Sequence, residues 1–344
     1  MNSPLVHIVI PCWNASLFIP ALFESLMAQT YNNWKVVAVD DQSTDNTVEV
    51  LKQYHQQDDR ITYVIRDHEP KGPSACRNIG LDLSANADYL TFVDADDLLA
   101  PYYLEQRVAF MEAHHDLDFS VFPAKRFFSD PWDECDFIIG FGDGHDDLAS
   151  FMIQPAMPFS MWGCIYRPQS LLTNNLRWEE RLKSIEDSDL GIQTIIKGLK
   201  YEYAIDARID YFWRTSAGSV TTKVFSQKHL KSNMFLFEKL YRSFNDEQRK
   251  TYKLPIEYWL LTFADNFHNN QELWNDFMRL PWLQNDSWFA IRINLYKHLT
   301  KNSKIRHLLF PELIRTYNII VEQHFSVAAQ KKAVLFNNKY LSDQ

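Results

Sequence analysis

Residues 1–125 alternate short apolar runs with amphipathic helical stretches, and that alternation leaves few folds open. Val6–Ile10, Val36–Val39, Thr62–Ile65, Tyr89–Val93 and Phe119–Phe122 read as strands. Leu17–Gln29, a stretch from Thr44 or Asp45 to about Tyr54, Ser74–Leu83 and Tyr102–His114 read as helices, with Asn14 or Ser16 capping the first. Such alternation predicts an α/β fold, a mostly parallel sheet flanked by helices, with ligands bound beyond the carboxyl ends of the strands. Residues 124–160 are irregular and acidic, and read as a loop or a small hairpin. The sheet pattern resumes with Trp162–Tyr166, a helix over Glu186–Lys197, and strands at Tyr201–Ile205 and Ile209–Trp213. After Phe225 the pattern is helical, with breaks expected at Pro255, Pro281 and Pro311. The expected division is a first domain over 1–224 and a smaller helical domain over 225–344.

Charge and composition remove several classes of function. The net charge is −9, from 35 Lys and Arg against 44 Asp and Glu, which argues against nucleic acid as a partner. Residues 1–224 carry 18 basic and 33 acidic side chains, whereas residues 225–344 carry 17 and 11, so the two parts are expected to do different work. The start, MNSPLVHIVIPCWN, has no basic segment and enters a strand pattern at once, so no signal peptide is expected. Cys12, Cys76, Cys135 and Cys164 stand apart with no CxxC spacing, which speaks against zinc and suits a reducing cytoplasm. No GxGxxG follows the first strand, which removes dinucleotide binding.

Three polar motifs fall at strand ends. PCWN (11–14) follows the first strand, DDQSTDNT (40–47) the second and DADD (94–97) the fourth, so one ligand could touch all three. Acids and hydroxyls in DDQSTDNT also suit a turn and a helix cap. DADD is harder to explain that way, because it closes an apolar run, YLTFV. Uncompensated carboxylates at a buried strand end would hold their protons to unusually high pH. A divalent cation relieves them, and Mg²⁺ or Mn²⁺ characteristically takes one or two carboxylates, completing its shell with water and phosphate oxygens. The motif reads as a metal–diphosphate site.

In this order and at this spacing, HIVIPCWNA (7–15), VVAVDDQSTDNT (36–47), KGPSACRNIG (71–80) and YLTFVDADDLL (89–99) resemble the family 2 glycosyltransferases. These are nucleotide-sugar enzymes with the Rossmann-like GT-A fold. A looser likeness runs through MWGCIYRPQSLL (161–172), IEDSDL (185–190) and YFWRTSAGSV (211–220). The resemblance implies that Pro11 and Asn14 lie at the nucleotide base, that Asp41 reads the base, and that Asp94 and Asp96 are the DxD pair on the metal. Asp97 takes a supporting role. Arg77 lies at the cleft edge near the nucleotide or is a surface arginine. Within IEDSDL, Asp187 is the expected general base and Glu186 its neighbour on the acceptor side. Trp162 is a sugar contact or a core aromatic, and Arg214 a diphosphate contact or part of a surface ion pair. The implied reaction is metal-dependent transfer, with Mn²⁺ or Mg²⁺, from a UDP-sugar to a glycan or lipid-linked saccharide, with inversion, in bacterial surface polysaccharide or lipopolysaccharide synthesis. The alternatives are a sugar-phosphate nucleotidylyltransferase, disfavoured because PCWNASLF has no glycine, and an inactive nucleotide-sugar-binding protein. In the helical part, YKHLTKNSKIRHLLF (296–310) mixes cations with apolar residues. It reads as a cap on the catalytic domain, a homodimer contact, or a surface resting on anionic membrane at the cytoplasmic face.

Overall fold

The computed structural model describes residues 3–132, 138–140, 142, 146–153, 157–215, 226–264, 267 and 270–299. The described strands are β1 (Val6–Cys12), β2 (Trp34–Asp40), β3 (Ile61–Ile65), β4 (Tyr89–Phe92), β5 (Leu98–Leu99), β6 (Phe119–Val121), β7 (Ala124–Phe127), β8 (Ile138–Ile139), β9 (Cys164–Tyr166), β10 (Tyr201–Tyr203) and β11 (Tyr211–Arg214). Between and after them run α1 (Ile19–Met27), α2 (Thr47–Gln57), α3 (Pro73–Leu83), α4 (Tyr103–Ala113), α5 (Asp147–Met152), α6 (Pro168–Thr173), α7 (Glu186–Ile196), α8 (Gln227–Ser243), α9 (Asp246–Thr251), α10 (Lys253–Ala264), α11 (Gln271–Met278), α12 (Pro281–Gln284) and α13 (Ser287–Leu299).

Seven strands form one sheet in the order β10-β6-β9-β4-β1-β2-β3. Its pairings are parallel except where β9 lies antiparallel to β4 and β6. Side chains alternate across this sheet, so β1 and β2 feed two cores. Val6, Ile8, Ile10, Val36 and Ala38 join Leu22 and Phe23 of α1 and Tyr103 and Leu104 of α4 on one side. Val9, Val37 and Val39 join Cys76 and Leu81 of α3 and Leu190 and Ile192 of α7 on the other. Strands buried on both faces in this way read as continuous apolar runs, as they do here. The second core extends without a break to Leu236, Trp259 and Trp274 of the C-terminal helices. That helical region therefore packs on the same apolar mass as the sheet.

A smaller sheet, β5-β11-β7-β8, sits past the end of β4. Sequence periodicity foresees β11 roughly but says nothing of its sheet. It pairs with β5, directly after DADD, and with β7. The irregular stretch after residue 123 contributes β7 and β8, an antiparallel pair, and α5. Buried Arg107 of α4 anchors this layer through two hydrogen bonds to Asp210, at 2.9 and 2.8 Å. Other local differences have clear causes. Trp162 lies in a 3-10 turn, Met161–Gly163, ahead of β9 and not within a strand. The first helix begins at Ile19, after N-cap Phe18, because Asn14 and Ser16 spend their polar groups on the loop before α2. Pro281 opens α12 as expected, Pro255 is accommodated in the first turn of α10, and Pro311 lies outside the described residues. No helix among the described residues is long and apolar enough to cross a membrane.

Gly80 lets α3 approach β1 closely, since a Cβ there would stand 2.2 Å from Val9 Cγ1. Val9 is fully buried in a strand and has no room to yield. Overpacking of this kind costs about 1–3 kcal/mol. Gly80→Ala is expected to lose that much stability in urea titration, and an unchanged midpoint would refute the close approach.

Candidate active site

The strand ends meet as the sequence suggests. Backbone N–H of Asp41 donates to the Cys12 carbonyl at 2.8 Å, continuing the β1–β2 pairing past the last strand residue. The following loops are laced together. Asn14, in the left-handed region at φ 48°, accepts from the Thr44 N–H at 2.8 Å, and its own N–H donates to Ser43 Oγ at 2.9 Å. Ser16 Oγ donates to Asp45 at 2.6 Å, and the Ala15 N–H to Thr47 Oγ1 at 2.8 Å. Burial alone would raise the Asp45 pKa, but the hydrogen bonds it accepts from Ser16 and Thr47 together outweigh burial and lower it to about 2. Asn14 is thus a loop clamp by geometry. Pro11 lies in β1 opposite Val39, and Trp13, directly after the strand, is 66% exposed. The Asp41 carboxylate is ion-paired with buried Arg66, whose guanidinium also donates to the His68 carbonyl.

The three acids of DADD have different surroundings. Asp97 is buried and structural: it accepts from the Tyr211 hydroxyl at 2.5 Å and from the Arg214 N–H at 2.7 Å, tying β4 to β11. Asp94 accepts from Arg77 Nη2 at 2.6 Å, and its N–H donates to the Tyr211 hydroxyl at 3.2 Å. The Asp96 carboxylate has no side-chain partner among the described residues. Burial first, and the Asp94 charge second, raise its pKa to about 6, against a smaller opposing pull from Arg214. Arg214 Nε donates to the Asp96 carbonyl at 2.8 Å, and its guanidinium lies 4.5 Å from the Phe127 ring centroid.

Arg77 joins this end of the sheet to α7. Its side chain is buried, stacks at 4.4 Å over the Trp178 ring, and reaches Glu186 at 3.5 Å as well as Asp94. Burial opposes its charge, yet Asp94, Asp187 and Glu186 together outweigh that and raise its pKa. Ile185 precedes α7 at φ 57°, a conformation that strains a β-branched residue and places Glu186 and Asp187 in the first helical turn. Asp187 lies in a recess. Its Oδ2 accepts from Ser160 Oγ at 2.6 Å, while Oδ1 is buried without a partner. Burial is the main cause that lifts Asp187 to about pKa 7, with Arg77 pulling the other way. Trp162 stacks on Tyr211 at 4.8 Å and packs near Trp213, and it is half-buried.

A carboxylate pair at a strand end, a buried arginine and a recessed carboxyl form one constellation in an α/β sheet whose ligand edge is known from topology. The sequence of this segment matches the family described as glycosyl transferase family 2, over residues 7–170. Residues 7–170, just under half of the chain, are similar in sequence to that glycosyltransferase family. The putative teichuronic acid biosynthesis glycosyltransferase TuaG of Bacillus subtilis is 36% identical over 109 residues, which cover 32% of this chain and 42% of TuaG. Matched stretches span less than half the length of the first curated relatives. Among solved structures, S. aureus TarS 1–349 in complex with UDP-GlcNAc has a TM-score of 0.62 at 18% identity, covering 93% of this chain and 92% of that one. The mannosyltransferase PcManGT from Pyrobaculum calidifontis, in complex with GDP-Man and Mn2+, has a TM-score of 0.55 at 13% identity, covering 93% and 87%. At such identities the likeness is one of fold, the GT-A fold.

Three residues of the constellation carry no sequence signal that singles them out. Ser160 lies in an irregular stretch, Trp178 in a loop, and Arg66 just beyond β3. Each acts through a contact made across 25 residues or more, or, for Trp178, by offering a ring to a distant guanidinium. The stretch 216–220 of YFWRTSAGSV lies outside the described residues.

The raised carboxyls give a stability signature. Asp96 and Asp187 keep their protons to higher pH in the folded protein than in the unfolded chain. Their contribution is therefore most favourable below about pH 4 and is lost as pH rises through about 6 to 7. Asp187→Asn is expected to flatten the loss of thermal stability between pH 5 and 8 and to raise Tm at pH 8. A Tm lowered equally at all pH values would contradict the assigned environment.

Proposed function

We propose that the chain is a metal-dependent inverting glycosyltransferase that moves a sugar from a UDP-sugar to a hydroxyl of a glycan or lipid-linked saccharide. Residues 1–224 form the catalytic unit and 225–344 a helical unit, and the enzyme works in the bacterial cytoplasm on surface polysaccharide or lipopolysaccharide. One observation carries this reading: Asp96 stands beside Asp94 without a counterion while Asp187, across Arg77, keeps one carboxyl oxygen free. The match of residues 7–170 to glycosyl transferase family 2 supports the reaction class. The UDP-GlcNAc bound to TarS and the Mn2+ bound to PcManGT support the donor and the ion. The naming of TuaG supports polysaccharide synthesis.

The donor set fits a divalent ion. Among the described residues no group of three or more His, Cys, Asp or Glu is arranged to hold a metal, so those residues offer at most the Asp94–Asp96 pair. That is the share Mn²⁺ or Mg²⁺ accepts when phosphate oxygens and water complete its shell. When bound, the ion acts as a Lewis acid that offsets the charge of the departing diphosphate. Asp41, Asn14, Pro11 and the exposed ring of Trp13 supply the base end of the donor groove. Arg214, held on the Asp96 carbonyl, supplies a cation beside the diphosphate. Trp162 and Glu186 face the acceptor.

The chemistry is a single displacement. The acceptor oxygen forms a bond to the anomeric carbon as the bond from that carbon to the diphosphate oxygen breaks. UDP leaves with the bonding pair from the opposite face, and the acceptor proton passes to Asp187 Oδ1. Ser160 orients Asp187 by occupying Oδ2, and a pKa near 7 suits a base working at neutral pH. Arg77 limits the rise of that pKa, so that a useful fraction is ionised.

A panel of UDP-, GDP- and other nucleotide sugars with Mn²⁺ or Mg²⁺, read by thermal shift and donor hydrolysis, tests the reading. A UDP-sugar with metal is expected to stabilise the protein, and Asp96→Asn to abolish that shift. Asp187→Asn is expected to retain donor binding and to lose at least about 100-fold in turnover, the lower end of general-base catalysis. Full turnover in Asp187→Asn would remove it as the base; donor binding independent of Asp96 and of metal would remove the ion.

A further inference from the structure

Helix α8 reaches across to the turn that leads into α7 and Asp187. Ser232 Oγ accepts from the Lys183 N–H at 2.8 Å and donates to the Arg181 carbonyl at 3.4 Å. Asn233 Oδ1 accepts from Ser184 Oγ at 3.2 Å, and both residues are buried. Further along α8, Lys239 donates to Asp189 at 2.6 Å. Between these two attachments lies Ile185, at φ 57°. A β-branched residue is disfavoured there. Such a conformation persists only where the surrounding contacts determine it. The Ile185 carbonyl accepts from the Asp189 N–H at 3.1 Å, which closes the first turn of α7. Asn233 thus holds the residue before the strained one, while Lys239 and Arg77 hold the turn after it.

Asn233 is an unexpected residue at its position. It is fully buried, and its helix neighbours Leu230, Met234 and Phe237 belong to the second core. Its Nδ2 has no partner among the described residues. An unpaired buried amide is a cost that an apolar side chain would avoid. What the amide contributes in return is an acceptor for the Ser184 hydroxyl.

We propose that Asn233 is a positioning residue for Asp187, acting through Ser184 and the left-handed turn at Ile185. The assignment rests on reading Asp187 as the base. Released from Ser184, Ile185 relaxes toward conformations with negative φ, and the Asp187 carboxyl is drawn away from the Ser160 hydroxyl.

Amide hydrogen exchange of the full chain, read over residues 183–190, tests this clamp without substrate. Asn233→Ala and Ser184→Ala are each expected to lower protection there by about fivefold, the contribution of one hydrogen bond. The double variant is expected to lose no more than either single one, because both remove the same bond. Turnover is expected to fall by at least about tenfold in each, with the donor KM unchanged, since a displaced base loses alignment and not donor binding. Ile185→Gly added to Asn233→Ala is expected to recover protection and turnover by about threefold or more, because glycine occupies the left-handed region freely. A packing role alone predicts the reverse, since Ile185→Gly also strips an apolar side chain from the second core. Unchanged protection over 183–190 in both single variants, strictly additive losses, or a further loss on adding Ile185→Gly would each overturn the proposal. Full turnover in Asp187→Asn would instead refute the base, and the exchange result would still decide the clamp.

Discussion

One buried guanidinium organises the cleft. Arg77 projects from α3, lies over the Trp178 ring, and pairs with Asp94 at the end of β4 and with Glu186 at the start of α7. A charge so deeply placed is unfavourable unless it is paired, and removing one partner of a buried pair is strongly destabilising. Arg77 is therefore both fixed by its acids and the element that fixes them. Its pairing occupies one oxygen of Asp94 and tempers the rise in Asp187, but it leaves Asp96 uncompensated. Among the described residues no cation forms an ion pair with the Asp96 carboxylate, which feels only a smaller pull from Arg214 and stands where a sheet of this topology receives its ligand.

The rest of the fold keeps this arrangement in place. Gly80 brings α3 against β1, which sets the depth of Arg77. Asp97 draws β11 and its small sheet onto the DADD turn. On the far side, Lys239 of α8 donates to buried Asp189 of α7 at 2.6 Å. The C-terminal helices thereby hold the helix that carries Asp187, which gives the continuous core between sheet and helices a role in the site as well as in stability. Strain at Ile185 is tolerated because the first turn of the helix it leads into is held by Arg77 on Glu186 and by Lys239 on Asp189.

Much of this could be read in the residues before any coordinates. Strands β1, β2 and β4 stand out because both faces are buried and each run is nearly all apolar, and β3, a partly exposed edge strand, stands out by its β-branched run alone. The carboxylates at their ends stand out because acids rarely follow buried strands without cause. The smaller sheet was not legible: β5 and β8 are two residues each, too short for any periodicity, and are defined by pairing alone. Asn14 illustrates a different limit. Its position beside the ligand edge followed from the motif, but its bonds to Ser43 and Thr44 depend on how two loops lie together. Ser160 and Arg66 likewise become visible only when the chain is folded. The amphipathic stretch over 296–310 is described only as far as residue 299, where it ends α13.

The Asp96 carboxylate, without an ion pair among the described residues, is the centre of this account, and crystallography with manganese addresses it most directly. Crystals grown with UDP and Mn²⁺ should give one strong anomalous peak against Asp96, with the nucleotide's diphosphate on its outer side and Arg77 still paired to Asp94. A cleft holding nucleotide but no anomalous signal there, with a lysine or arginine turned onto Asp96 instead, would contradict it.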